Sequence, residues 1–160
     1  DYIIVHHTWT PQGTLKGNLN VLLGKTASDV SAHFLVDWDG SAYKLADPKM
    51  VTWHAWQSNW GNIVGLNYHS LWIETIWPDF TDAQRFTVKR LIQHLMAVFW
   101  IPKENVIRHC DLTHAKSKKK ELWDWVSKTR KTDIDSSFYS RGYKDWAEYQ
   151  SKLVPKEIKG

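Results

Sequence analysis

Tyr2-Ile3-Ile4-Val5-His6-His7-Thr8 is the stretch from which the fold is read. Its apolar, largely β-branched half favours a strand over a helix. A strand that is apolar on both faces belongs in the interior of a sheet, with helices covering each side. Side chains alternate along a strand, so His6 and His7 are expected on opposite faces, with at most one of them lining a site. The polar end of such a strand is its C-terminal end, where α/β proteins bind ligands.

Gln12-Gly13 and Lys16-Gly17-Asn18 mark a loop, and a short helix is expected from Leu19 to Lys25. His33 to Asp37 and Ser41 to Leu45 flank Trp38-Asp39-Gly40, a hairpin signal because Gly accepts positive φ without steric cost. Trp53 to Asn67 is rich in Trp, Asn and Gly and shows no period, so it reads as a long surface loop of the kind that carries function.

Ser70 to Trp77 reads as a second strand, with Leu71, Ile73 and Thr75 on one face. Thr81-Asp82-Ala83-Gln84 has the pattern of a capping box. It opens a helix whose apolar positions Phe86, Val88, Leu91, Ile92, Leu95, Met96 and Phe99 follow the helical period, and which Pro102 ends. Asn105 to Asp111 is expected as a short strand, and Lys118 to Thr129 and Tyr143 to Leu153 as helices. Strands mixed with helices place the chain in the α/β class, as one domain over residues 1–160 with helices on both sheet faces.

Composition narrows the function. A chain of 160 residues, 42% hydrophobic and 24% charged, is a globular domain and not a disordered one. No apolar run approaches the roughly 18 residues of a membrane span. The chain begins at Asp1 and shows no export signal, which reads as a trimmed or excised domain. With one cysteine, Cys110, there is neither an internal disulfide nor a Cys-rich zinc module, so a metal site must rest on His, Asp or Glu. The 11 Trp suit both core packing and stacking on sugars or bases. The net charge of +4 favours an anionic partner such as a wall polymer, a nucleic acid or an acidic lipid.

Three residues stand out chemically. His6 and His109 each lie toward the C-terminal end of an apolar strand, where a histidine is either a hydrogen-bonded structural residue or a metal ligand. Glu74 sits inside Leu71-Trp72-Ile73-Glu74-Thr75-Ile76-Trp77. Burial among such neighbours raises a carboxyl pKa and suits a general base, while the same pattern also fits one outward charge on a half-exposed strand.

Six segments, in order, carry a resemblance. They are Ile4-Val5-His6-His7-Thr8, Ser31-Ala32-His33-Phe34, Trp53-His54-Ala55, Asn67 to Glu74, Arg108-His109-Cys110-Asp111 and Arg130-Lys131-Thr132-Asp133. Together they resemble the type-2 N-acetylmuramoyl-L-alanine amidases, from Asp1 to about Tyr139. The resemblance implies a central mixed β-sheet flanked by helices and one zinc ion held by two His and an Asp or Cys. By motif these are His6, His109 and Asp133. The distance from His109 to Asp133 exceeds the family's usual spacing, and Leu112 to Thr129 reads as a Lys-rich helical insertion that accounts for it. Asp111, His114 and Asp124 are rivals for the third position, and Cys110 is expected to be a buried bystander.

The resemblance also implies roles for the remaining site residues. Glu74 matches the catalytic Glu; related phage enzymes use a Tyr at the position where this chain has Ala32. Lys131 matches a Lys that stabilises the oxyanion, and His33, Trp53, His54 and Asn67 fall at substrate-contacting positions. The implied reaction is zinc-dependent hydrolysis of the amide between N-acetylmuramic acid and L-Ala of the peptidoglycan stem. The expected partner is peptidoglycan or a muropeptide, with no nucleic acid, no membrane and a monomeric enzyme. The expected place of action is the bacterial cell wall, with secreted, periplasmic or phage-delivered forms all consistent. Two other readings have distinct signatures: a recognition module that binds walls without metal, and a nucleic-acid binder whose affinity collapses with salt.

Overall fold

The computed structural model of the chain describes residues 1–8, 14–55, 57–76, 80–114, 136–139 and 142–158. Strand β1 (Tyr2–His7) leads to helix α1 (Leu15–Leu22) and the hairpin strands β2 (Phe34–Val36) and β3 (Ala42–Lys44). Short strands β4 (Ser58–Trp60) and β5 (Ile63–Val64) precede β6 (Ser70–Thr75) and the long helix α2 (Asp82–Phe99). β7 (Val106–Arg108), β8 (Thr113–His114), α3 (Ser136–Tyr139) and α4 (Trp146–Ser151) follow.

The main sheet has the order β3-β2-β6-β1-β7. β1 pairs in parallel with both β6 and β7, β2 pairs in parallel with β6, and β3 is antiparallel to β2. The sheet is therefore mixed, and β1 is interior, as its two-sided apolar character requires. Ile3 and Val5 enter a core shared with Val88, Ile92, Leu95 and Met96 of α2 and Trp146 and Tyr149 of α4. Ile4 enters a second core with Leu22, Leu35, Trp72 and Ile107. Ile3, Ile4 and Val5 have no exposed surface, and each such side chain contributes roughly 1.5–3 kcal/mol. Helices thus cover both faces: α1 on one, α2 and α4 on the other.

Two connections leave the sheet centre in opposite directions. α1 carries the chain from β1 toward β2 on one face, while α2 carries it from β6 across β1 to β7 on the other. The C-terminal ends of β1 and β6 therefore lie side by side at a switch point, the usual ligand position in such sheets. Thr81 and Gln84 form the expected capping box at the start of α2. Gln84 is fully buried, and its side-chain amide also donates to the Ile76 carbonyl at 3.0 Å, tying α2 to the end of β6.

Several elements differ from the sequence expectation. α1 starts at Leu15, not Leu19, because the Thr14 hydroxyl caps Gly17 N–H and Asn18 Nδ2 donates to the Thr14 carbonyl at 3.0 Å. The expected loop from Trp53 to Asn67 holds β4, β5 and a 3-10 turn at Leu66–Tyr68, with Ala55 and Leu66 fully buried. The strand expected to reach Asp111 stops at Arg108, and His109–Asp111 is a 3-10 turn. Cys110 on that turn is partly exposed, not buried. Phe86 is 62% exposed, with the Arg90 guanidinium over its ring. β8 opens the segment expected as a Lys-rich insertion and pairs with β4; the helix expected over Lys118 to Thr129 lies outside the described residues. Among the described residues no helix is long and apolar enough to cross a membrane.

Candidate active site

Parallel register fixes which side chains meet. His6 of β1 is level with Glu74 of β6, and both belong to the face that also carries Ile4 and Trp72. Ile4 pairs with Ile107 of β7, so His109, two residues beyond Ile107, returns to this face. The imidazoles of His6 and His109 stand edge to face with centroids 4.6 Å apart. His6 is 7%, Glu74 5% and His109 0% exposed. Burial favours a ligating or catalytic pair over two solvated charges.

His109 is held by its turn. Arg108 Nε and Nη2 donate to Asp111 Oδ2 and Oδ1 at 3.1 and 2.8 Å, and the Arg108 backbone N–H reaches Oδ2 at 3.0 Å. A bidentate pair of this kind brackets the residue between its partners. Asp111 Oδ1 also accepts from the Cys110 thiol at 3.7 Å, so the Asp111 carboxylate braces the turn from both oxygens. Thr75 Oγ1 donates to the His6 carbonyl at 3.2 Å and joins the ends of β1 and β6. His7, on the opposite face, meets the ring of Phe80; its own ring still stacks on that of His6 at 5.0 Å, closer than strict alternation suggests.

Trp72 is the centre of the cluster, and the sequence reading did not single it out. The signal was its spacing, two residues before Glu74 and hence on the same strand face. It has no exposed surface, and its indole N–H donates to Glu74 Oε1 at 2.7 Å. Its ring lies 4.1 Å from His54, 4.8 Å from His109 and 5.6 Å from His6 between centroids.

Behind Trp72 runs a buried polar chain whose proton positions follow from its partners. Ser70 donates to the Leu66 carbonyl at 2.6 Å, so at 3.0 Å it accepts from His54 Nε2–H. His54 Nδ1 then accepts from the Thr52 hydroxyl at 2.7 Å. The Trp72 backbone N–H donates to His33 Nδ1 at 3.0 Å, and His33 Nε2–H donates to the Met50 carbonyl at 2.9 Å. Both rings are thereby neutral. Desolvation lowers the His33 pKa against the opposing pull of the Met50 carbonyl and Asp47. Desolvation, then the neighbouring His33 and His6, push His54 well below its usual value. Asn67 Oδ1 accepts from the backbone N–H groups of His54 and Ala55 at 3.2 and 2.8 Å.

Of the four residues expected to meet substrate, only Trp53 presents a half-exposed side chain, its ring edge-on to Tyr68. His33, His54 and Asn67 are buried and their polar groups engaged inside the protein. Beside them opens a cleft of about 1130 Å³, lined by residues that include Leu23, Val30, Met50, Trp53, His54 and Asn67. His54 is the side chain shared between this cleft and the Trp72 cluster.

Two neutral-capable imidazoles at adjacent strand ends are a donor set suited to zinc, and they fit as two of its three protein ligands. Among the described residues no group of three or more His, Cys, Asp or Glu is assembled to hold a metal. Asp133, Lys131 and the rival Asp124 lie outside the described residues, and of His114 only the backbone position on β8 is described.

The profile of the N-acetylmuramoyl-L-alanine amidases matches residues 1–133. The chain belongs to that family. The 1,6-anhydro-N-acetylmuramyl-L-alanine amidase AmpD of Haemophilus influenzae is 30% identical over 128 residues, covering 78% of this chain and 59% of AmpD. The chain thus spans little more than half the length of that curated relative. A crystal structure of a selenomethionine AmpD derivative superposes with a TM-score of 0.68 at 24% identity, covering 96% of this chain and 83% of that one. The amidase AmiD from E. coli, in complex with anhydro-N-acetylmuramic acid-L-Ala-D-gamma-Glu-L-Lys, superposes with a TM-score of 0.61 at 25% identity, covering 69% of this chain and 48% of AmiD. The mixed sheet with helices on both faces is the fold shared with these structures.

Proposed function

We propose that this family member is a zinc-dependent peptidoglycan hydrolase that cleaves the amide between N-acetylmuramic acid and L-Ala of the stem peptide. The observation that carries the reading is the convergence of His6, His109 and Glu74 on one buried sheet edge in a chain of the amidase family. His6, His109 and Asp133 would hold the ion, and the matched family span runs as far as Asp133. Bound there, zinc supplies Lewis acidity, polarising the scissile carbonyl and making a water more acidic.

The rest of the chemistry belongs to the chain. Glu74 takes a proton from the attacking water as its oxygen bonds to the carbonyl carbon. Glu74 returns that proton to the nitrogen of L-Ala as the C–N bond breaks. Lys131, by its family motif, would stabilise the developing oxyanion, a role in which a preorganised cation lowers the barrier by several kcal/mol. Trp53 forms a wall of the substrate cleft, and His33, His54 and Asn67 set the shape of that wall from behind. Residues 1–160 act as one catalytic unit, the Lys-rich segment being an insertion within it, and the enzyme works on the bacterial cell wall as a monomer.

Mass analysis of fragments released from defined muropeptides tests the reading. The wild-type protein is expected to release free stem peptide beginning with L-Ala. Glu74→Gln is expected to lose at least 100-fold in rate and keep its zinc. Asp133→Ala is expected to lose both rate and zinc. Release of disaccharide fragments instead of stem peptide sinks the proposal, and full zinc retention in Asp133→Ala removes Asp133 from the ligand set.

A further inference from the structure

The assignment of His6, His109 and Glu74 leaves unexplained why a fully buried indole sits among them. An ordinary core aromatic needs only apolar neighbours, and a buried indole N–H needs only some acceptor. Trp72 does more than this. Its N–H donates at 2.7 Å to Oε1 of Glu74, and its ring contacts the imidazoles of His6 and His109. One side chain thus touches the carboxylate and both imidazoles assigned to the metal. Its own place is fixed on the far side by His54, tilted against it at 4.1 Å.

We propose that Trp72 is the positioning residue of this site, its N–H aiming the Glu74 carboxylate and its ring fixing the two imidazoles. The inference rests on the reading of Glu74 as the proton carrier and of His6 and His109 as zinc ligands. The physical case has two parts. A hydrogen bond to an ionised carboxylate is stronger than one between neutral groups, and it restricts the rotation of an otherwise two-fold carboxyl group. Proton transfer requires the acceptor oxygen within hydrogen-bond reach of its donor, so orientation translates into rate. Outer partners that orient metal-binding imidazoles are worth about 10–100-fold in metal affinity when removed.

The two parts separate by substitution. Trp72→Phe keeps an aromatic ring and removes the donor. Its kcat is expected to fall about tenfold or more, the loss of one charge-assisted hydrogen bond, with KM and zinc affinity nearly unchanged. Trp72→Ala removes the ring as well, and zinc affinity in chelator competition is expected to fall at least tenfold. A third readout does not depend on turnover. In the 1H–15N spectrum of the zinc-loaded protein, Glu74→Gln is expected to move an indole N–H resonance, and Trp72→Phe is expected to delete that same resonance.

An unmoved set of indole resonances in Glu74→Gln overturns the proposal even if the Trp72 variants fail to fold. A Trp72→Phe protein with wild-type kcat overturns it as well. If Glu74→Gln itself stays active, the assignment of Glu74 has failed. If Glu74→Gln is inactive while Trp72→Phe is fully active, only the positioning role has failed.

Discussion

The hydroxyl of Thr52 stands between two imidazoles, 2.7 Å from His54 Nδ1 and 3.2 Å from His33 Nδ1. It has one proton, and the shorter distance assigns that proton to His54. This choice propagates: His54 must carry its own proton on Nε2, which meets Ser70 Oγ. Replacing Thr52 by Val keeps the shape and removes the donor, leaving His54 Nδ1 buried without it. Such an orphaned acceptor costs about 1–3 kcal/mol. Thr52→Val is therefore expected to lower the unfolding free energy by that amount in urea titration, with m unchanged. A loss below about 0.5 kcal/mol means the His54 ring turns over and finds another arrangement. The sequence showed Thr52 only as a polar residue beside Trp53, because one of its ring partners, His33, lies 19 positions behind it and the other, His54, is oriented by Ser70, a further 16 positions along the chain.

At the scale of elements, the hairpin between β2 and β3 shows how turn chemistry sets the packing of a helix. Gly40 has φ of +84°, and a Cβ placed there would lie 2.9 Å from the Ala83 carbonyl oxygen in the first turn of α2. The Thr87 hydroxyl donates to the Gly40 carbonyl at 2.7 Å, so the turn is pressed directly on α2. Gly40→Ala combines a left-handed backbone, at roughly 1–2 kcal/mol, with a contact that backbone atoms must relieve. It is expected to lower the melting temperature by several degrees at minimum, read by circular dichroism; an unchanged melting temperature contradicts the close approach of turn and helix.

That turn was legible because Asp39-Gly40 carries its meaning locally. So were β1, β6 and the Thr81 cap, where apolar runs and capping chemistry act within a few residues. His6 and His109 were legible as residues near strand ends and Glu74 as a carboxylate within an apolar strand, and the fold brings them together. What the sequence did not show is set by distant contacts. α1 extends back over Lys16-Gly17-Asn18 because Asn18 finds the Thr14 carbonyl and the helix finds a core. The stretch from Trp53 to Asn67 has no period, yet the Asn67 side chain gathers the backbone of His54 and Ala55 and folds the segment inward. Trp72 reads as one more core aromatic until Glu74 and three imidazoles are placed around it.

Across the whole molecule, the two faces of the sheet do different things. The face under α2 and α4 is an apolar core. The face under α1 buries His6, His33, His54, Ser70, Glu74 and His109 together. Stability there depends on His33 and His54 staying neutral, and this gives the protein an acid limit. In the unfolded chain a histidine titrates near pH 6.5. In the fold both pKa values are lowered, His54 the further, with burial the chief cause. Below about pH 6.5 the unfolded state therefore binds protons that the native state refuses, and stability falls as pH falls. Above that value the contribution is fully present. Urea unfolding in chelator, so that metal release plays no part, is expected to show little change from pH 8 to 7. From about pH 6.5 down, stability is expected to fall, with His54 supplying a slope of up to about one proton, roughly 1.4 kcal/mol per pH unit, and His33 adding a smaller share. His54→Gln lacks one of the two titrating rings, so its slope is expected to be shallower by up to about 1.4 kcal/mol per unit. An identical slope in His54→Gln assigns the acid sensitivity to other groups, and a flat wild-type profile between pH 6.5 and 5 means that both rings accept protons without opening the fold.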